Sequence, residues 1–374
     1  MRTLRCLLVL YESEAACLAR LATHGLTGEP AREIACYLAQ ATDLPAFYER
    51  IGAAFAPNGI GVDFYEIGEA AEYLPALLAD PEGSILWNLT DGFRYYRASY
   101  ATSAAALLGV KRFGSPPQAQ HLCQDKFKCI ALAQSLGVTT PQTALTRNGE
   151  LLSPVFDLPS GDALFVKPNT LGAKVGIFAD SRCDSWDAAL ALSGRIFRRY
   201  GDDAVVQRYI PGYDVRVSFM DAGERTEEAR LGIFRLAGVE AGEMGGAFMT
   251  MQDNWTLSAS RSDEEKEVAS PFEQPIEFRP RMEDLRADSA AVAQVAVIEQ
   301  AVGQIQTLLG LRDYFSFDFR VGEDSSVYFL ELEVCPAVTI YDFQAYLENN
   351  YGVDLPAALA RSVQRAFRRD DPFF

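Results

Sequence analysis

The sequence predicts an α/β fold of two or three lobes, the first of them built around a small parallel sheet. Three observations carry that expectation. The chain has 374 residues, more than a single hydrophobic core usually serves. Short apolar strands alternate with helical stretches before residue 115, the pattern of a parallel sheet with crossover helices. Two acidic strands near the C-terminus read as a hairpin. In the first region, 1–115, the strands are Arg5 to Leu10, Val62 to Ile67 and Ser84 to Leu89, and Ala31 to Ala41 and Ser99 to Leu108 are helical. The opening Arg2 to Tyr11 places basic residues ahead of an apolar stretch, but that stretch is short and has no convincing cleavage site. It reads as a first buried strand rather than a signal peptide.

Across 116–200, a helix from Asp125 to Leu136 stops at Gly137 ahead of Pro141, and Ala163 to Lys167 and Gly176 to Ala179 look strand-like. Across 201–374 come strands Ala204 to Tyr209 and Asp214 to Met220, the acidic hairpin, and helices near Ala290 to Leu309 and Leu355 to Arg369. The stretch 238–281 is polar and rich in Gly, Ser and Glu, the profile of a loop or lid.

Composition narrows the function classes. The chain is 49% hydrophobic, and no apolar run approaches the length that spans a bilayer. A net charge of -17 argues against a nucleic-acid partner but leaves phosphate binding open, since that needs only a few local cations. The seven cysteines are scattered without paired metal spacing, which points to reduced thiols and a cytoplasmic location. The only histidines, His24 and His121, read as structural or surface residues.

The hairpin strands are Phe315 to Val321 and Val327 to Glu333. If Val321 pairs with Tyr328, Asp318 faces Glu331 and Ser316 faces Glu333, and all four side chains share one face because strand side chains alternate. Carboxylates opposite one another destabilise a ladder, so the face asks for a cation. Hard oxygen donors without His or Cys favour Mg2+ or Mn2+. An acidic, solvent-facing surface is the competing reading, against which the apolar interleaving of Phe-Asp-Phe and Leu-Glu-Leu-Glu argues for half burial.

Of six lysines, Lys126 and Lys128 open a helix, while Lys167 and Lys174 bracket a Pro- and Gly-containing loop. A lysine at a strand end followed by such a loop sets an ammonium and backbone N–H groups around a polyphosphate. Taken alone, Gly172 and Gly176 serve a hairpin turn equally well. Beside the acidic strands, the lysines supply the second half of a nucleotide and metal site.

These motifs resemble the ATP-grasp ligases, and among them the D-alanine:D-alanine ligase-like group, from about Trp87 to Phe343. The matching segments are Trp87-Asn88-Leu89-Thr90-Asp91-Gly92, Asp125-Lys126, Val166-Lys167-Pro168, Val205 to Asp214, and Asp318, Glu331 and Glu333 ahead of Pro336. The resemblance implies an ATP-grasp fold with an N-terminal Rossmann-like (pre-ATP-grasp) domain at 1–115, a central grasp subdomain at 116–200 and a C-terminal one at 201–374. It implies ATP on Lys126, Lys167, Gln207, Tyr209, Ile210, Asp214 and Phe317, and two Mg2+ ions (or Mn2+) on Asp318, Glu331 and Glu333. The expected partners are small amino-acid-like substrates, with no nucleic acid and no membrane, and dimers are common in the family.

The implied reaction joins a carboxylate to an amine through an acyl phosphate and releases ADP. Lys174 and Ser316 fall at catalytic positions, and Asn88, Asp91 and Asp342 at substrate positions. The departures are as informative. Ser316 stands where the family has Arg, Glu333 where it has Asn, and Lys174 where it has Ser, so Lys174 is expected to restore the missing cation. Asp342 stands where a Ser receives the acceptor's carboxylate, and is expected either to repel such acceptors or to cap a helix. Open alternatives are authentic D-alanyl-D-alanine synthesis and a nucleotide-binding module without chemistry.

Overall fold

The structure is a computed structural model that describes residues 5–42, 45–90, 97–223, 230–237, 248, 250, 281–338 and 341–369. Asp91 and nearly all of the stretch 238–281 lie outside the described residues. Strands β1 (Arg5–Tyr11), β2 (Ile60–Glu66), β3 (Ser84–Asn88) and β4 (Lys111–Phe113) form a parallel sheet in the order β2-β1-β3-β4. Leu7, Leu8, Val9 and Leu10 are all buried, which explains the unbroken apolar run of β1: both faces of a parallel sheet are covered. Helices α1 (Glu14–Thr23), α2 (Glu29–Thr42), α3 (Pro45–Phe55), α4 (Ala70–Ala79) and α5 (Arg97–Leu107) make up the rest of this region.

Two short helices, α6 (Pro117–Cys123) and α7 (Lys126–Ser135), lead into a second, antiparallel sheet. Its strands β5 (Thr143–Arg147), β6 (Glu150–Leu151), β7 (Leu164–Pro168), β8 (Arg182–Cys183) and β9 (Ala204–Arg208) run in the order β6-β5-β9-β7-β8. One face packs on α8 (Trp186–Tyr200), whose Ala189, Leu192 and Ile196 meet Leu164, Val166 and Val206. The strand expected at Gly176 to Ala179 is instead a turn, because Gly176 and Lys174 adopt left-handed backbone (φ 77° and 63°).

A third sheet, also antiparallel, orders β10 (Gly212–Met220), β11 (Gly232–Ala237), β12 (Arg281–Asp284), β13 (Tyr314–Gly322) and β14 (Val327–Glu333) as β12-β11-β10-β13-β14. Helix α9 (Val292–Leu309) covers one face with Val295, Ile298, Val302 and Ile305 against Phe315, Phe317 and Phe319. Helices α10 (Tyr341–Tyr351) and α11 (Leu355–Arg368) follow, and α11 returns to the first sheet, burying Leu359, Val363 and Phe367 in one cluster with Leu7 and Val9. Trp87 at the end of β3 donates its Nε1–H to Tyr314 Oη at 2.9 Å, and Tyr314 donates to the Asn88 carbonyl at 3.2 Å. The first sheet is thereby pinned to the start of β13.

Candidate active site

Phe315, Phe317 and Phe319 are buried on the α9 face of β13, so alternation turns Ser316 and Asp318 to the other face. Val321 pairs with Val327, not with Tyr328 as expected. An irregularity between Asp318 and Phe319 takes up the difference, so that Asp318 lies opposite Glu331 and Ser316 opposite Glu333 as the sequence predicts. Ser316 Oγ donates to Glu333 Oε2 at 3.2 Å. The carboxylate face is half buried, with Asp318, Glu331 and Glu333 side chains 27%, 28% and 34% exposed.

Glu331 receives both lysines of the sequence motifs. Lys126 Nζ lies 3.4 Å and Lys167 Nζ 4.0 Å from Glu331 Oε2, and Lys126 also donates to the Leu171 carbonyl at 2.7 Å. The local chain explains the meeting. Asp125 caps α7 by accepting from the Lys128 N–H, and Asn169, just after β7, accepts from the Phe127 N–H and donates to Asp125 Oδ1. These bonds stitch the start of α7 to the end of β7. Lys167 shares the face of the second sheet that carries Phe165, Gln207 and Thr143, away from α8. The two antiparallel sheets therefore face each other across the Lys167–Glu331 pair.

Charge at this junction is strongly perturbed. Burial lowers the Lys167 ammonium below its ordinary value despite Glu331. Burial works against the charged form of Glu331 as well, but Lys167, Lys126 and Arg216 outweigh it and hold its carboxyl at about 2. Asp318 goes the other way: burial, reinforced by Glu331 and Glu333 and only partly opposed by Arg216, pushes it up to about 7.

A further cation, Arg216, meets the rest of the acidic face, and the motifs do not single it out. It sits on β10 opposite Asp318, with Nη1 2.9 and 3.0 Å from the two Asp318 oxygens, Nη2 2.7 Å from Glu333 Oε2 and Nε 3.1 Å from Asp342 Oδ2. A trace of it was present in the sequence: Arg216 interrupts the apolar Val215 and Val217 in step with Asp214 and Ser218, so all three share the site face.

The hinge between β9 and β10 holds four expected nucleotide residues. Gln207 Nε2 donates to Thr143 Oγ1 at 3.1 Å, the Tyr209 ring lies beneath the Arg182 guanidinium at 4.8 Å, and the Ile210 carbonyl accepts from Arg320 Nε at 3.0 Å. Asp214 pairs with Arg320 Nη1 at 2.8 Å. Phe317 is a correction: its side chain is fully buried against Phe315, Phe319 and Phe329, on the face turned away from the carboxylates.

Two nearly buried lysines converging on one carboxylate leave surplus positive charge between the sheets, which suits the phosphates of ATP. The carboxylates have the hard oxygen donors that Mg2+ takes, although among the described residues no three acidic, His or Cys side chains converge as a ready metal cage. Arg216 already engages two of the three.

No family model matches the chain. A stretch of 246 residues is 24% identical to a D-alanine–D-alanine ligase of Geobacter sulfurreducens, covering 66% of this chain and 66% of that protein, just under two thirds of its length. A second such ligase, from Nitratidesulfovibrio vulgaris, is 24% identical over 253 residues, 67% of this chain and 70% of the relative. Among solved structures, D-alanyl-alanine synthetase A of Vibrio cholerae superposes with a TM-score of 0.61 at 14% identity, over 99% of this chain and 100% of that one. The D-alanine–D-alanine ligase of Bacillus anthracis complexed with ATP gives 0.60 at 13%, over 97% and 98%. The chain therefore has the ATP-grasp fold of these D-alanine–D-alanine ligases, and its sequence is similar to theirs at low identity.

At the substrate end of the site, the expectation for Asp342 changes. Asp342 is not an exposed carboxylate: its side chain is 1% exposed, and Oδ2 accepts from Arg216 Nε and, at 2.8 Å, from Ser218 Oγ. It lies in the first turn of α10, one residue inside the helix, rather than capping it. Arg216 places a cation on β10, the strand paired with that of Ser316, and Lys174 stands in the turn after Ala173, where both residues have left-handed backbone. That turn joins β7 to its antiparallel neighbour β8, so the hairpin reading of Gly172 and Gly176 is also true of the topology. Asn88 is buried at the C-terminal end of β3, donating from Nδ2 to the Thr90 carbonyl at 2.7 Å, and its Oδ1 has no hydrogen-bond partner among the described residues.

Proposed function

We propose that this ATP-grasp ligase activates the carboxylate of an amino acid or small amino-acid derivative with ATP and joins it to an amine, releasing ADP and phosphate. The observation that carries the reading is the convergence of Lys126 and Lys167 on Glu331 between two facing antiparallel sheets. Lys126 and Lys167 would hold the phosphates, Gln207, Tyr209, Ile210 and Asp214 the base and ribose, and Asp318, Glu331 and Glu333 the magnesium, which supplies charge neutralisation at the transferring phosphate. A substrate carboxylate oxygen displaces ADP from the terminal phosphorus to give an acyl phosphate. The amine nitrogen then attacks the acyl carbon and expels inorganic phosphate. The chain's own share of this work is orientation and fixed charge, which is where most catalysis of phosphoryl transfer resides.

A second reading, D-alanyl-D-alanine synthesis itself, gains from the structure. The carboxylate expected to repel a D-alanine acceptor is Asp342, and that group is buried against Arg216 and Ser218. The names of the relatives favour it too. The test is ADP release with D-alanine alone against D-alanine paired with a panel of amines. Turnover with D-alanine alone promotes the second reading; turnover only with another pair rejects it. No ADP release with any carboxylate and amine would refute both.

A further inference from the structure

Arg216 is accounted for neither by the sequence motifs nor by the names of the relatives. The antiparallel ladder of β10 and β13 sets its place directly opposite Asp318, so no loop movement is needed to bring it there. All three guanidinium nitrogens are used: Nη1 on Asp318, Nη2 on Glu333 and Nε on Asp342. The last contact is the anchor. Asp342 is fully buried, and the same Oδ2 also accepts from Ser218, two residues along β10, so the guanidinium is tethered beneath the face it neutralises. A planar fork held on two sides is far more rigid than an ammonium on a free stem.

The consequence concerns how many further cations the face accepts. A divalent ion bridging Asp318 and Glu333 would compete for the oxygens that Arg216 already engages, close to its fixed positive charge. Displacing the guanidinium would strand Asp342, whose Oδ1 is already without a partner among the described residues. We propose that Arg216 is a built-in cation filling the bridging place between Asp318 and Glu333, so that the chain, with ATP bound, takes up one divalent ion rather than two. This rests on the ATP reading above.

The test counts manganese by electron paramagnetic resonance in protein saturated with the β,γ-imido analogue of ATP. One Mn2+ per chain is expected, and two would overturn the role of Arg216 while leaving the nucleotide reading intact. Failure of the analogue to bind would refute the nucleotide reading and this inference with it. In Arg216→Met the count should rise to two, and the affinity for Mn2+ without nucleotide should rise by roughly ten-fold or more, because a repulsive element has been removed. An unchanged count and affinity would overturn the proposal. Since that variant leaves three carboxylates without their counter-charge, it is made also with Asp342→Asn, which neutralises the most buried of them. If neither variant folds, the wild-type count alone decides.

Discussion

Lys126 and Lys167 each meet Glu331 from a different element, one at the start of α7 and one at the end of β7. Removing either ammonium deletes a charge-assisted contact of about 1.5–3 kcal/mol, so Lys126→Ala and Lys167→Ala should each raise the KM for ATP roughly ten-fold or more. Unchanged ATP kinetics in both variants would show that the phosphates lie elsewhere. Asp318 gives a prediction in pH. Its carboxyl is raised from 3.8 to about 7 in the fold. Between those values the folded state keeps a proton that the unfolded chain releases, so its contribution to stability falls as pH rises through that window. Glu331, held at about 2 against an ordinary 4.5, acts oppositely: it stabilises above its ordinary value, and that contribution is lost as pH falls toward 2. Melting curves of wild type and Asp318→Asn without metal should therefore converge near pH 4 and separate toward pH 7, the wild type losing more. Parallel curves would refute the raised value. The lysines and the three carboxylates were legible in the sequence because each sits in a short local motif. Arg216 was not, because its partners Asp318 and Glu333 lie 102 and 117 residues away and only strand pairing brings them together. Phe317 was misjudged although period two alone decides its face, since its neighbour Asp318 must point the other way.

Among the elements, β10 carries the site's least forgiving position. Gly212 opens the strand at φ 152°, and a Cβ there would meet the Val321 carbonyl oxygen at 1.9 Å. Gly212→Ala must push β10 off β13 beside the residues that seat Asp214 and Arg216. Such backbone strain costs about 1–3 kcal/mol, so the variant should melt several degrees lower and bind ATP more weakly. Wild-type melting and ATP affinity would show that the strand end yields freely. The acidic hairpin shows what the sequence can and cannot say about an element. The two facing pairs, Asp318 with Glu331 and Ser316 with Glu333, were legible from alternation and burial pattern. The pairing near the turn was off by one, because a bulge leaves no mark in a hydrophobic pattern. The turn at Gly176 to Ala179 was missed for a related reason: left-handed backbone at Ala173 and Lys174 is not a property of their side chains.

At the scale of the whole molecule, two unlike contacts among the described residues tie the first region to the other two sheets. Trp87, Tyr314 and Asn88 fasten the first sheet to the third through buried hydrogen bonds and packed rings, with Trp87 edge-on to Tyr314. Glu33 on α2 fastens the first region to α8 under the second sheet, accepting from Arg199 Nη2 at 2.5 Å and from Tyr200 Oη at 2.8 Å. Glu33→Gln weakens the charged half of that fastening while keeping its shape. It should leave the third sheet undisturbed, make the second region more open to limited proteolysis, and raise the KM for ATP by a few-fold. A proteolysis pattern identical to wild type would show that the contact carries no load. Three strands of the parallel sheet and the helices α2 and α5 were legible in the sequence, whereas α1, α3, α4 and α8 were not, and with α8 the seat of this fastening.

The two joints also differ in how the surrounding solution reaches them. Glu29, which adds a third contact to Arg199 at 3.1 Å, is 66% exposed, and Arg199 itself is 28% exposed. Mobile ions shield such a pair, with a Debye length of about 8 Å at physiological strength and about 3 Å at 1 M. They do not reach the neutral, buried Trp87–Tyr314 bond. Added salt should therefore loosen the grip of the second sheet on the first region while leaving the first and third sheets locked, a softening along one joint of the molecule. Hydrogen exchange at low and high ionic strength would follow it directly: amides of α2 and α8 should lose protection while those of β3 and β13 keep theirs.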